Sequence, residues 1–170
     1  MQRPNDPYLY LNVAGQWFCY NPSDQPLGSG AMGTVYLGYR CSDGSRVAIK
    51  RVNDTIANNP SIRARARQEA SLAFRHSNLV EMIGCCEYFP EGGPMFLLSN
   101  FVEGEDIDKY IARFNVAADR TQRICNLICS VLDALDYIHY RGVIHRDIKP
   151  ENIFIYTNDG KDSIKIGDFG

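Results

Sequence analysis

The segment His145-Arg146-Asp147-Ile148-Lys149-Pro150-Glu151-Asn152 places a carboxylate, an ammonium and a side-chain amide within six positions of one another. Those three groups suit phosphoryl transfer. Asp147 can orient or deprotonate an attacking hydroxyl, Lys149 can neutralise charge on the moving phosphoryl group, and Asn152 offers an oxygen to magnesium. Asp168, directly before Phe169-Gly170, is a second oxygen donor for the metal. A solvated loop has no need of this set in this order.

Two upstream features belong to the same chemistry. Gly28-x-Gly30-x-x-Gly33 can bring the backbone close to a polyphosphate, because the missing side chains leave amides free to donate to its oxygens. The same spacing occurs in dinucleotide-binding loops, but that fold needs a helix directly after the glycines. Here Thr34 to Arg40 is rich in β-branched and aromatic residues and reads as a strand. Lys50 ends the apolar run Val47-Ala48-Ile49, where its ammonium can sit over α- and β-phosphates, and Glu69 on the following helix can supply a carboxylate to hold it.

These groups need a scaffold. Leu27 to Arg40, a Ser42-Asp43-Gly44 turn and Val47 to Lys50 read as strand, turn, strand. Asn59-Pro60-Ser61 opens a helix carrying Ile62, Ala66, Ala70 and Ala73 at helical spacing, and Arg75-His76-Ser77-Asn78 closes it. Leu79 to Gly84 and Met95 to Val102 give two further strands about Pro90-Glu91-Gly92-Gly93-Pro94, so residues 27–102 are expected to form five mostly antiparallel strands and one helix. Residues 1–26 form an extension in which Tyr8 to Tyr20, turning at Ala14-Gly15, reads as a hairpin without an assigned role. Glu103-Gly104-Glu105-Asp106 reads as a hinge into a helical region, residues 103–170, whose stripe Ile124, Ile128, Val131, Leu135 and Ile138 is the most regular in the chain. Arg141-Gly142 closes that helix, and strands Ile153 to Tyr156 and Ser163 to Ile166 flank a turn at Asn158-Asp159-Gly160.

At 170 residues, 45% hydrophobic and 22% charged, the composition is that of a globular chain and excludes disorder and collagen-like structure. Eighteen Lys+Arg against 20 Asp+Glu give a net charge of −2, so neither nucleic acid nor a membrane surface is an expected partner. No apolar run approaches the roughly 18 residues of a membrane span. Met1-Gln2-Arg3-Pro4-Asn5-Asp6-Pro7 carries charge and proline where a signal peptide would be apolar, and a cytoplasmic setting is expected. The cysteines Cys19, Cys41, Cys85, Cys86, Cys125 and Cys129 form no Cys-x-x-Cys pair and are expected to be reduced, with Cys125 and Cys129 buried on one helical face.

From Leu27 to Gly170, with five motifs in family order, the sequence resembles the eukaryotic-like Ser/Thr protein kinase family. The resemblance implies an α+β, protein-kinase-like fold: a five-stranded antiparallel N-terminal lobe with one helix, then the first, mainly helical part of the C-terminal lobe. It also implies ATP and Mg2+ as cofactors. Carried over residue by residue, Leu27, Gly28, Ser29, Gly30, Ala31, Met32, Gly33 and Thr34 form the phosphate-covering loop, while Val35 and Ala48 roof the adenine. Lys50 and Glu69 are the activating ion pair, Ser99 the gatekeeper, and Asn100 to Val102 the hinge whose backbone meets adenine. Asp106 contacts the ribose and Phe154 floors the adenine. Asp147 is the catalytic base, Lys149 the γ-phosphate partner, Asn152 and Asp168 the magnesium ligands, and His145 and Phe169 structural spine residues. Lys149 is similar to the Ser/Thr-directed branch, so the implied substrate is a protein Ser/Thr hydroxyl.

Three features depart from the family pattern. Glu69 sits closer to His76-Ser77-Asn78 than the family places its helix glutamate, and Asn21-Pro22 interrupts the first strand. The sequence ends at Gly170, before an activation segment, so it reads as an incomplete catalytic domain with exposed apolar surface on its helical half. Such a chain is expected to need the rest of the C-terminal lobe or a partner chain. The alternative is a non-catalytic nucleotide-binding or regulatory kinase-like module. A small-molecule kinase fits less well, since such enzymes seldom combine His145-Arg146-Asp147 with Asp168-Phe169-Gly170.

Overall fold

The structure, a computed structural model, describes residues 6–71, 74–89, 92–113, 120–158 and 160–167, with the backbone alone at Glu69, Phe89 and Gly92. Ala73, the turn residues Pro90, Glu91 and Asp159, and Asp168-Phe169-Gly170 lie outside the described residues. The chain forms two compact units, residues 1–73 with 81–101 and residues 74–80 with 102–170.

The first unit begins with β1 (Leu9–Val13) and β2 (Gln16–Tyr20). Ala14 and Gly15 join them with φ of 49° and 84°, the left-handed pair that a tight two-residue hairpin turn requires. Next come β3 (Gly28–Gly30), β4 (Gly33–Arg40), β5 (Arg46–Val52), β6 (Met82–Phe89) and β7 (Gly92–Asn100). All pair antiparallel in the order β1-β2-β4-β5-β7-β6, with β3 on β4. The N-terminal hairpin therefore continues the sheet, which has seven strands where five were expected. It also curls back onto the far edge: Tyr88 Oη donates to the Tyr10 carbonyl at 2.7 Å, and Val13 Cγ1 lies 2.7 Å from where a Cβ at Gly84 would stand.

Strand alternation gives this sheet two buried faces. On one, Val47, Ile49, Phe96 and Leu98 pack against Leu11, Val13, Phe18 and Tyr20 of the hairpin. Burying each of these large side chains contributes about 1.5–3 kcal/mol, so residues without an assigned role in the sequence close a large part of the core. On the other face, Val52, Met95 and Leu97 pack against Ala57 and Ala66. Those alanines belong to α1 (Asp54–Ala57) and α2 (Pro60–Ser71).

The second unit contains β8 (Glu105–Asp106), α3 (Ile107–Arg113), α4 (Arg120–Tyr140), a 3-10 turn over Pro150–Asn152, β9 (Ile153–Asn158) and β10 (Lys161–Ile166). Its antiparallel sheet runs β10-β9-β8. Gly104, expected as a hinge, is needed for close approach, since a Cβ there would lie 2.5 Å from the Ile155 carbonyl oxygen. The expected strand Leu79 to Gly84 is divided. Leu79 forms a parallel bridge to Ile166 and Val80 N donates to the Ile166 carbonyl at 2.8 Å, whereas β6 starts only at Met82.

Helix α4 buries Leu127, Val131, Ala134 and Ile138, a face rotated from the expected stripe and sharing only Val131 and Ile138 with it. Cys125 and Cys129 are exposed, which corrects the expectation that they are buried: the small Ala134, fully buried, marks the side of closest approach, and both cysteines point elsewhere. All six cysteines are free thiols in the structure. Ile128, Leu132, Ile144 and Ile148 are exposed apolar residues of this unit. Among the described residues no helix is long and apolar enough to cross a membrane.

A polar knot fastens α3 and α4 to this sheet. Asp162 on β10 accepts from the Tyr110 hydroxyl, from Arg123 Nη1 at 3.1 Å and from Thr157 Oγ1 at 2.8 Å. Burial pushes its carboxyl up, yet the hydrogen bonds from Tyr110, Thr157 and Arg123 outweigh that and hold the pKa below the ordinary value. A depressed folded pKa contributes stability that is present above the unfolded value of about 3.9 and is lost as pH falls through the folded one. Urea midpoints of the wild type should therefore drop between about pH 4 and pH 2, and Asp162→Asn, less stable at neutral pH, should drop less over that window. Parallel slopes would show that Asp162 carries none of the acid sensitivity.

Candidate active site

In the first unit the register decides which side chains share a face. Val35 stands opposite Lys50, Leu37 opposite Ala48, Lys50 opposite Leu97 and Ala48 opposite Ser99. Directly opposed residues lie on one side of a sheet, so Val35, Ala48, Lys50 and Ser99 all stand on the face that Leu97 and Val52 present to α2. Glu69 lies on α2, three residues after buried Ala66; its side chain, and with it the Lys50–Glu69 pairing, is outside the described residues. At the end of β7, Asn100 N donates to the Glu81 carbonyl at 3.0 Å and its Nδ2 to Glu81 Oε2 at 3.2 Å, and Arg46 lies over the Phe101 ring at 5.4 Å.

The glycine motif is a hairpin: Gly28 pairs with Val35, Ser29 with Thr34 and Gly30 with Gly33, while Leu27 N donates to the Val35 carbonyl at 2.8 Å. A strand leaves it, as the β-rich composition of residues 34–40 requires. Leu27 and Met32 are exposed. The three glycines are not equivalent. A Cβ at Gly33 would lie 2.3 Å from the Arg51 carbonyl oxygen, whereas at Gly28 or Gly30 it would meet nothing within 4 Å. The fold itself demands Gly33, and the space over Gly28 and Gly30 is open for a ligand. Gly33→Ala should cost about 1–3 kcal/mol by urea unfolding, the range for forced overpacking. Gly28→Ala and Gly30→Ala should stay within about 0.5 kcal/mol of wild type. A Gly33→Ala chain with the wild-type urea midpoint would remove the steric argument.

The second unit gathers the other candidate groups. Asn152 Nδ2 donates to the Asp147 carbonyl at 2.9 Å and to Asp147 Oδ2 at 3.0 Å, and Lys149 Nζ lies 2.9 Å from the same Oδ2. Oδ1 is thus the Asp147 oxygen that can accept from a hydroxyl, and Asn152, having turned its nitrogen to Asp147, directs its amide oxygen away. The Lys149 hydrogen bond, against a smaller opposing effect of burial and helped by Asn152, holds the Asp147 carboxyl below the usual carboxylate range. Arg146 takes a left-handed backbone, φ 68°, a costly conformation for a residue with a Cβ and one concentrated at functional sites.

His145 and Gly167 fix this loop from beneath. The His145 ring is buried, and its Nε2 lies 3.0 Å from the Gly167 carbonyl, which can only accept, so the ring carries a proton there. Gly167 N in turn donates to the Asn152 carbonyl at 3.0 Å. Gly167 was not singled out in the sequence. As the residue directly before Asp168 it ties that position to the loop, and a Cβ on it would press Val80 Cγ2 at 3.1 Å and Phe154 Cε2 at 3.3 Å. Asp168 itself lies outside the described residues.

Of the remaining candidates, Phe154 is half-buried on β9 opposite Asp106. Asp106 caps α3, its Oδ1 accepting from Lys109 N at 2.9 Å and its Oδ2 meeting Lys109 Nζ at 2.7 Å. Val102 accepts at its carbonyl from Gly104 N at 3.0 Å.

Residues 22–170 match the protein kinase domain family. The chain is 34% identical over 148 residues to the serine/threonine-protein kinase pkn2 of Myxococcus xanthus, covering 86% of this chain and 17% of that protein. Over 133 residues it is 35% identical to the serine/threonine-protein kinase PknH of Mycobacterium tuberculosis, covering 78% of this chain and 21% of that one. It thus spans about a fifth of the length of these curated relatives. Among solved structures, a doubly substituted PknI kinase domain of Mycobacterium tuberculosis aligns with a TM-score of 0.71 and 26% identity, over 85% of this chain and 58% of that one. Rad53 1–466 in complex with AMP-PNP aligns with a TM-score of 0.66 and 28% identity, over 86% of this chain and 37% of that one. The match runs from just before the glycine hairpin to the final residue, and the chain belongs to the protein kinase domain family.

Proposed function

We propose that this chain carries the phosphoryl-transfer apparatus of a protein serine/threonine kinase, with ATP as donor, Mg2+ as cofactor and a protein hydroxyl as acceptor. The observation that carries the reading is the knot of Asp147, Lys149 and Asn152, in which two hydrogen-bonding partners converge on one carboxylate oxygen and leave the other to a substrate. Asp147 Oδ1 accepts the hydrogen bond of the attacking hydroxyl and fixes its direction. A carboxyl held below its ordinary pKa is a weak base, so it orients first and takes the proton only as the new oxygen–phosphorus bond forms and ADP leaves. Lys149, whose Nζ lies 2.9 Å from Asp147 Oδ2, neutralises charge on the transferred group.

The donor chemistry fits the cofactors. The amide oxygen of Asn152 is a hard ligand, open space lies over Gly28 and Gly30, and Lys50 stands on the α2-packed face with Val35 and Ala48. Asn152 and Asp168 would hold magnesium, which when bound would offset the negative charge of the phosphates. Lys50 binds α- and β-phosphate oxygens, Glu69 supports Lys50, and Val35, Ala48 and the backbone of Asn100 and Phe101 receive the adenine. The test is transfer of labelled γ-phosphate to casein with and without magnesium, followed by phosphoamino-acid analysis. Magnesium-dependent label on serine or threonine is expected. Label on tyrosine alone, or no nucleotide binding at millimolar MgATP, would overturn the reading.

A further inference from the structure

The turn of the glycine hairpin is gripped by one residue that none of the kinase motifs contains. Asn53 follows β5, three positions after Lys50, and its Nδ2 donates to the Ala31 carbonyl at 2.7 Å and reaches the Gly30 carbonyl at 3.4 Å. Its backbone N donates to the Met32 carbonyl at 3.1 Å. Three consecutive carbonyls of the turn therefore face a single asparagine. Asn53 is also the N-cap residue of α1, a position where its side chain would ordinarily accept from the first-turn amides, yet it makes no capping hydrogen bond. Its side chain is committed to the loop instead.

From this geometry we infer that Asn53 is a positioning residue for nucleotide binding, which latches the glycine turn so that its amides are set before the ligand arrives. In a trans peptide the N–H points opposite to the preceding C=O. Drawing the carbonyls of Gly30, Ala31 and Met32 towards Asn53 holds the turn so that the amides of Ala31 and Met32 face away as successive donors of the kind that bind anionic oxygens, while Gly33 stays paired with Gly30 across the hairpin. With no side chain at Gly30 to brace it, the turn would otherwise sample many conformations, and ordering it would count against affinity. The inference rests on the nucleotide reading for its purpose, but the latch exists in the free chain.

Asn53→Asp separates latch from scaffold. It keeps the size of the side chain and its capacity to cap α1, but replaces the donating NH2 by an oxygen facing two carbonyl oxygens. In the nucleotide-free chain, backbone order parameters of Ala31, Met32 and Gly33 are expected to fall from about 0.85 to below about 0.6, with the urea midpoint unchanged. MgADP affinity should weaken about three- to ten-fold, the loss of one net hydrogen bond, and Asn53→Gln, which keeps the donor, should recover part of it. Unchanged order parameters in Asn53→Asp would overturn the latch, as would equal MgADP affinity in a wild type that binds. If the wild type binds no MgADP, the nucleotide reading fails instead, and the order parameters alone decide the latch.

Discussion

Replacing Asp147 by asparagine should lower phosphoryl transfer to a protein hydroxyl by about 10²–10⁴-fold, the range typical for loss of a positioned proton acceptor. The substitution is nearly isosteric, and an amide oxygen still accepts from Asn152 Nδ2, so the loop should keep its shape. What disappears is the negative charge that Lys149 and the substrate hydroxyl both address. The Lys149–Asp147 pair is roughly half-exposed on both sides, 46% and 42%, so its loss should change stability by no more than about 1 kcal/mol. Nucleotide affinity should stay within about three-fold of wild type, because the role proposed for Asp147 is on the acceptor rather than on the donor. The carboxyl's low pKa adds a second expectation: no acid limb belonging to Asp147 should appear above about pH 4, since the group is already ionised there. Initial rates with saturating MgATP, together with a nucleotide titration, test both expectations. Transfer retained within ten-fold would show that another group receives the hydroxyl proton.

That the proposed catalytic groups stand out in the chain follows from how they are held. Asp147, Lys149 and Asn152 sit within six positions, so local backbone geometry alone can bring them together, and their types survive any rearrangement of the surrounding packing. The glycines were equally plain, although sequence spacing could not say that Gly33 answers to the Arg51 carbonyl while Gly28 and Gly30 face open space. Helix α4 was legible as a helix, but its orientation was not. At 100° per residue Ile124, Leu127, Ile128, Val131, Leu132 and Leu135 spread apolar character over an arc of about 140°, wider than the buried face, and small Ala134 at its edge decided which side lies against β10. The N-terminal hairpin was visible as a turn between aromatic runs, yet its place in the sheet depends on pairs such as Phe18 with Arg40, which no local pattern announces. Most hidden was the buried Arg63. An arginine on a helix reads as solvated, and only its distant partners show otherwise.

Those partners make Arg63→Met the substitution with the largest expected effect on stability. Arg63 is 3% exposed on α2; its Nη1 donates to the Ala57 carbonyl at 2.9 Å and the Gly93 carbonyl at 3.0 Å, and its Nη2 meets Glu87 Oε1 at 2.9 Å. One guanidinium thus ties together the end of α1, the start of β7 and the turn-ward end of β6. Methionine fills similar volume but leaves two carbonyls without that donor and Glu87, mostly buried, with only the half-exposed Arg67 at 2.8 Å. Breaking a buried pair from one side costs about 3–5 kcal/mol, a large share of the roughly 5–15 kcal/mol that a domain possesses. The single tryptophan, Trp17 on β2, reports on the same unit by fluorescence in urea. If the cost comes from the mostly buried carboxylate being left with Arg67 alone, Arg63→Met with Glu87→Leu should be more stable than Arg63→Met alone, because the second change removes that under-compensated charge. Since α2 also bears Glu69, Arg63→Met should weaken phosphoryl transfer even under conditions where the chain stays folded, and the double variant, lacking both anchors of α2 to β6, should not restore it. A double variant that recovers transfer along with stability would show that α2 keeps its place without the Arg63–Glu87 tie.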